Sequence, residues 1–209
     1  MYNELREKRL RKLVHGINRV RKKQAKKIDI ICNNLISAHR SFIKNLDILR
    51  FAANFYESII DRKNIDELFD AAGELIRNEI KDVKIAFFLR QKNGFEIYPG
   101  NNAKKESVGK NTLEDFFTDE LVADICMNNR LCSLEQMLTM GLQLVPTMLN
   151  NLSAFAVPLI HFGTSIGFIL IYRVSDEKID QEQLDKISSV SAGLARSISR
   201  CQVLCSKSD

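Results

Sequence analysis

The 209-residue sequence contains no tryptophan, only three prolines, and no apolar run close to the roughly 20 residues that a bilayer-spanning helix needs. Its first eight residues also lack the apolar stretch of a secretory signal peptide. These absences argue against a membrane-spanning or exported chain. We therefore predict a cytoplasmic location.

The spacing of cysteine and histidine gives no sign of a metal or cofactor. The five cysteines are an odd count without Cys-x-x-Cys spacing, which argues against a disulfide framework and a structural zinc site. His15, His39 and His161 lie far apart, and no cysteine joins them at metal-ligand spacing. We predict neither a metal nor a cofactor.

Positive charge is concentrated at the N-terminus. Residues 1–40 carry twelve Lys and Arg against three acids, a local charge of +9, although the whole chain has only +5. Such a segment is either the solvated face of a helix or a contact for nucleic acid or an anionic membrane. If it is a contact, binding should weaken strongly as the salt concentration rises. The basic patch comprises Arg19, Arg21, Lys22, Lys23, Lys26 and Lys27.

The segment from Leu10 to Ile60 has no proline, and Gly16 is its one glycine. Apolar or small residues recur there every three or four positions, which predicts one amphipathic helix of about 50 residues, about 75 Å long. The steps into and out of Gln24 are both four residues, a stutter that locally unwinds a left-handed coiled coil. The apolar stripe, by which we mean the predicted interface residues of this helix, comprises Leu10, Leu13, Ile17, Val20, Ile31, Leu35, Phe42 and Leu49.

One small domain cannot cover a stripe of that length. The N-terminal half of the helix therefore needs a partner helix, and a second copy of the same chain is the simplest source. We predict a homodimer.

The next residues predict a helix and a hairpin. Asn64, with Glu67 three residues later, is typical of a helix N-cap with its capping-box partner. Every second residue from Val83 to Leu89 is a large apolar one, which predicts a strand, and Asn93-Gly94 then predicts a tight turn into a second strand ending at Tyr98.

The middle of the chain is less regular. Residues 99–110 predict a mobile loop, and Thr112 an N-cap for a helix that runs through Met127. Residues 131–151 predict a short helix followed by a strand, with Pro146 breaking what precedes it. Asp180 and Gln183 predict the cap of a last helix.

Residues 153–173 have the most specific sequence pattern in the chain. Two apolar runs alternate with period two around a turn that contains Gly163, which predicts a core hairpin. The Val157-Pro-Leu step, the turn glycine, and Gly167 before a run of large apolar residues resemble the penultimate hairpin of GAF domains, the small-molecule sensor and dimerisation modules of signalling proteins.

The resemblance covers about residues 46–205 and implies an α+β fold, in which helices flank an antiparallel sheet. Residues 1–45 form a basic coiled-coil helix before it, and residues 206–209 a polar tail. Flanking helices of GAF domains often bundle across a dimer, which adds Leu184, Leu194 and Ile198 of the last helix to the predicted interface.

The resemblance also implies a ligand pocket on one face of the sheet. The alternative is that the same residues simply fill the core, as a Phe-rich alternation usually does. The pocket residues would be Phe87, Leu89, Phe116, Met127, Phe155, Val157 and Phe168.

Motifs of the ligand-binding and catalytic relatives are not matched. Lys110-Asn111 reverses the Asn-Lys pair of cyclic-nucleotide binders, and no cysteine has the histidine neighbour of bilin-binding relatives. Cys126 and Cys132 are similar to the thiol pair of GAF-fold methionine sulfoxide reductases, but the surrounding glycine-rich and histidine motifs are absent. We predict no enzyme activity.

Two hypotheses follow. The first is a dimeric, non-catalytic sensor that transmits small-molecule or partner binding in signal transduction. The second is a ligand-free dimeric scaffold that binds a partner protein, or nucleic acid through its basic helix.

Overall fold

A computed structural model describes residues 2–91, 94–100, 112–149, 151–175 and 177–205. The chain divides into two compact units, Met1–Asp47 and Ile48–Asp209. The turn residue Asn93, most of the predicted loop at 99–110, and the predicted polar tail at 206–209 lie outside the described residues.

The long N-terminal helix is present. Helix α1 extends over Tyr2–Ile59, so every described residue of the first unit is helical. Within the second unit, Phe55 and Ile59 are buried in the core, whereas Leu49 and Ile60 remain 64% and 58% exposed. The C-terminal end of α1 therefore buries one face in the core of the domain and exposes another face.

The second unit is built on a five-stranded antiparallel sheet in the order β2-β1-β5-β4-β3. This confirms the predicted fold class. After α1 the elements are α2 (Ile65–Glu79), β1 (Lys84–Gln91), β2 (Gly94–Pro99), a 3-10 turn (Leu113–Phe116), α3 (Asp119–Asn128), β3 (Cys132–Ser133), α4 (Leu134–Thr139), α5 (Pro146–Leu149), β4 (Leu152–His161), β5 (Thr164–Val174) and α6 (Gln181–Cys205).

Alternating side chains of the strands fill two separate cores. Phe87 and Ile169 belong to a core shared with α2, α6 and the end of α1, on what we call the α6 face. Phe88 and Phe168 belong to a second core with α3 and α4, on what we call the α3 face, where their rings stack at 4.6 Å between centroids. The sheet is thus covered on both sides.

The hairpin β4–β5 has the predicted position and turn. Phe162 and Gly163, with φ of 48° and 80°, form the two central residues, a pattern typical of a type I′ turn. Gly167 has a φ of 155°, and a Cβ atom there would overlap the carbonyl oxygen of Phe88 on β1. Glycine is therefore required where β5 passes closest to β1.

Two predictions for the middle of the chain are wrong. Thr112 does not begin α3: Asp115 turns back to accept a hydrogen bond from the Thr112 backbone N–H, which closes a short 3-10 turn, and Thr118 caps α3 instead. In residues 131–151 the predicted short helix is confirmed as α4, but the predicted strand after it is wrong: the edge strand β3 comes before α4, and Pro146 begins α5. Proline suits the first helical position because its missing N–H would have no partner there.

The predicted C-terminal part of the dimer interface needs correction. Leu184, Leu194 and Ile198 are each at most 1% exposed, because α6 packs them against the sheet of its own chain. They leave no surface for a partner helix. The open side of α6 instead carries small or basic residues such as Ala192 and Arg196.

The predicted helix caps are confirmed in part. The Asn64 side chain accepts a hydrogen bond from the Asp66 backbone N–H at 3.0 Å and so caps α2, while Glu67 lies 3.9 Å from Arg62. Gln183 accepts from the Asp180 backbone N–H at 3.2 Å at the start of α6.

No helix in the described part of the chain is long and apolar enough to cross a membrane.

Candidate functional site

The structure does not bring the predicted pocket residues together. Side chains with odd numbers on β1 and β4 point to the α6 face and those of Phe116 and Phe168 to the α3 face, while Met127 is 73% exposed. The physical reason is that successive side chains of a strand point to opposite faces of the sheet, so the predicted residues could not all line one pocket. The residues on the α6 face are Phe87, Leu89, Phe155 and Val157.

A cleft of about 450 Å³ does lie on the α3 face, at the end of the sheet where β1 ends and β5 begins. Its walls include Arg90 and Phe95 from the first hairpin, Cys126 and Met127 from α3, and Ser165 from the start of β5. Met127 is the one predicted pocket residue that lines it. This size is typical of sites for small molecules.

Local geometry explains how these side chains meet. Arg90 follows Phe88 by two residues on β1 and pairs with Phe95 across the hairpin, so all three lie on the α3 face. Helix α3 ends at Asn128, and the next residue, Asn129, is its C-cap, has a left-handed φ of 50° and lines the cleft. The sequence signal that could have identified Arg90 is a cation that shares one face of β1 with the apolar Ala86 and Phe88.

The thiols of Cys126, which lines the cleft, and of Cys132, on β3, are both held in the protonated form. Burial raises the pKa of Cys126, although its hydrogen bond with Ser165 and the charge of Arg90 partly oppose this. Burial likewise raises the pKa of Cys132, whose sulfur accepts a hydrogen bond from the Asn128 amide at 3.4 Å. A protonated, buried thiol is a poor nucleophile. This chemistry favours a binding role for the cleft over a covalent one.

Tyr172 gives a prediction for pH dependence. Its hydroxyl donates to Glu114 at 2.8 Å, and burial, followed by the Glu114 charge, raises its pKa well above the ordinary 10.0. A raised folded-state pKa adds stability that is complete below the unfolded pKa and is lost as pH rises toward the folded value. The raised pKa values of Cys126 and Cys132 act in the same direction from pH 9.0 upward.

We expect the free energy of unfolding to fall steadily above about pH 9, by up to about 1.4 kcal/mol per pH unit for each group. Tyr172→Phe should cost about 1 kcal/mol at pH 7 and flatten the decline above pH 10. Urea unfolding midpoints between pH 7 and pH 11 measure both effects. An equal decline in Tyr172→Phe would show that the phenol is not responsible.

The first unit presents a different surface. The predicted interface residues of α1 are exposed in the single chain: Leu13 is 63%, Ile31 64% and Leu35 68% exposed. At 100° per residue, Arg19, Lys22 and Lys26 of the basic patch project away from this stripe, Lys23 lies on its flank, and Arg21 and Lys27 lie at its margin.

Comparison with solved structures shows the same fold at low sequence identity. The GAF domain of an Acinetobacter phosphoenolpyruvate-protein phosphotransferase matches with a TM-score of 0.56 and 15% identity, covering 76% of this chain and 97% of that one. The GAF domain of a putative sensor histidine kinase from Pseudomonas syringae pv. tomato matches at 0.53 and 13%, covering 81% and 98%. A GAF domain/HD domain protein from Geobacter sulfurreducens matches at 0.50 and 21%, covering 66% and 95%.

No family model matches the sequence, and neither does any curated protein. At identities this low the comparison shows the fold alone. It does not show the function, because one fold supports many functions. The element order, the five-stranded antiparallel sheet and its two covered faces agree with these neighbours. The chain has the GAF fold.

Proposed function

We propose that the protein is a non-catalytic sensory or regulatory module that works as a homodimer and transmits the binding of a small molecule or partner protein. The observation that supports this most strongly is the apolar stripe of α1. A helix whose long apolar side chains are half or more exposed, as Ile17 at 57% and Leu35 at 68% are, is unstable in water without a partner.

A second copy of the chain fits the stripe best. Two identical helices bring identical stripes together along their full length, so every apolar position meets an apolar position. The outward polar face then carries Arg19, Lys22 and Lys26 of the basic patch, which remain solvated. The GAF fold is consistent with a regulatory role, since its solved neighbours include a domain of a putative sensor histidine kinase.

The dimer has a direct test. Light scattering at micromolar concentration should return about twice the monomer mass of 23.9 kDa. The mass should change little between 0.1 and 1 M salt, because apolar contacts depend weakly on ionic strength whereas charged contacts are screened. A monomer mass at both salt concentrations would refute the proposal.

The basic patch supports a second candidate, a scaffold that binds nucleic acid through α1. Lys22, Lys23 and Lys26 are all exposed and lie within five residues of sequence. Changing Lys22, Lys23 and Lys26 together to Glu should abolish any binding to a DNA duplex at low salt and leave the dimer mass unchanged. DNA binding that persists in this variant would assign the contact elsewhere.

A further inference from the structure

The cleft on the α3 face has one charged wall. Among the described residues that line the cleft, Arg90 is the only basic or acidic one. It makes no ion pair with another described residue. The guanidinium lies close enough to Cys126 for its charge to act on that thiol, so it faces the interior of the cleft as well as solvent. An unpaired guanidinium over a cleft favours an anion.

The hydroxyl groups of the cleft act as acceptors. Thr164 donates its proton to the carbonyl of His161 at 2.9 Å, and Ser165 donates to the carbonyl of Gly167 at 2.8 Å. The Ser165 oxygen also accepts from the Gly167 backbone N–H at 3.4 Å, so the Thr164 oxygen is the hydroxyl acceptor left for a hydroxyl or amine of a ligand. The Asp119 carboxylate, near Gly94, has the same preference. Among the described residues that line the cleft, Arg90 therefore carries the charge that suits an anion.

The cleft also has an apolar part. Phe95 of β2 and Met127 of α3 line it, and Ala123 of α3 adds a small apolar side chain. Met127 is 73% exposed, an unusual state for a large apolar side chain next to a core, and a flexible thioether adapts to ligands of different shape.

We propose that this cleft binds a small organic anion, whose carboxylate or phosphate pairs with Arg90 and whose apolar body contacts Phe95 and Met127. The proposal rests on the proposed function, for which it names the ligand class and the place of binding. The volume of about 450 Å³ accommodates a molecule the size of an aromatic acid.

The test uses the full chain and three matched probes: phenylacetate, phenyl phosphate and the neutral phenylacetamide. Titration calorimetry should show binding of at least one acid and a preference of tenfold or more over the amide. Arg90→Gln should weaken that acid at least tenfold, whereas Arg90→Lys, which keeps the charge but loses the planar fork, should weaken it less. The two acids distinguish a carboxylate from a phosphate as the preferred group.

Arg130→Gln is the matched control, because Arg130 is exposed near the end of α3 and does not line the cleft. It should bind the acid as the unchanged chain does. Met127→Trp provides a second readout, since the sequence has no tryptophan and the new fluorophore reports only on the cleft. Its emission should change with the acid and not with the amide.

Three results would overturn the proposal: no acid binds, the amide binds as well as the acids, or Arg90→Gln binds as the unchanged chain does. Dimer mass by light scattering is measured in the same samples. Acid binding by a monomer would refute the dimeric function alone, and a dimer that binds no acid would refute the ligand assignment alone.

Discussion

Gly167→Ala is expected to prevent stable folding. A Cβ atom at this position meets the backbone carbonyl of Phe88, which cannot move without breaking the pairing of β1 with β5. The backbone φ of 155° adds further strain for any side chain. We expect the free energy of unfolding to fall by more than about 4 kcal/mol, a large part of the stability of an ordinary domain.

Gly163→Ala is the control for this prediction. Its φ of 80° is also unfavourable for alanine, but nothing lies within 4 Å of the added atom. The cost should be about 1–2 kcal/mol, the ordinary penalty of a left-handed residue. Urea unfolding followed by circular dichroism measures both variants, and equal losses would show that the close approach of β5 to β1 is not what makes Gly167 necessary.

The second large effect is expected for Ile31→Lys combined with Leu35→Lys in α1. In a symmetric dimer the pair of substitutions removes four apolar side chains from the interface, each worth about 2 kcal/mol when fully buried. Together they amount to about 8 kcal/mol, so the dissociation constant should rise by more than about 10⁵-fold, since each 1.4 kcal/mol is a factor of ten. Analytical ultracentrifugation should show a monomer at concentrations where the unchanged chain is a dimer.

Lys22→Gln combined with Lys26→Gln is the matched control on the opposite side of the same helix. It also changes two residues, but it removes no apolar side chain from the stripe, so the dimer should persist. A monomer in this control would indicate that charge, and not apolar contact, holds the chains together.

Strong periodicity made the outer elements predictable from sequence. The long helix, the hairpin with Gly163 and the last helix each follow a regular spacing of apolar residues over ten or more positions. Two local features that a hydrophobic pattern does not encode explain the parts that were not predicted. Asp115 accepts a hydrogen bond from the Thr112 backbone and closes a turn, and Pro146 begins a helix because its missing N–H costs nothing at the first helical position.

The candidate site was harder to predict for a different reason. The implied pocket took large apolar residues from neighbouring strands, yet Phe87 and Phe168 lie on opposite faces of the sheet. The cleft instead joins the ends of two hairpins to α3, through residues that are 75 positions apart at Arg90 and Ser165. Such a juxtaposition depends on strand order, which the sequence pattern alone does not specify.

The spacing of the α1 stripe has a consequence for how paired helices would lie. From Gln24 the positions advance by 4, 3, 4, 3 and 4 residues to Phe42, and the same steps lead from Phe42 to Ile60. Each repeat places five positions in 18 residues, a period of 3.6 that equals the natural turn of an α-helix. Two such helices can meet side by side as straight rods, without the left-handed winding that a seven-residue repeat imposes.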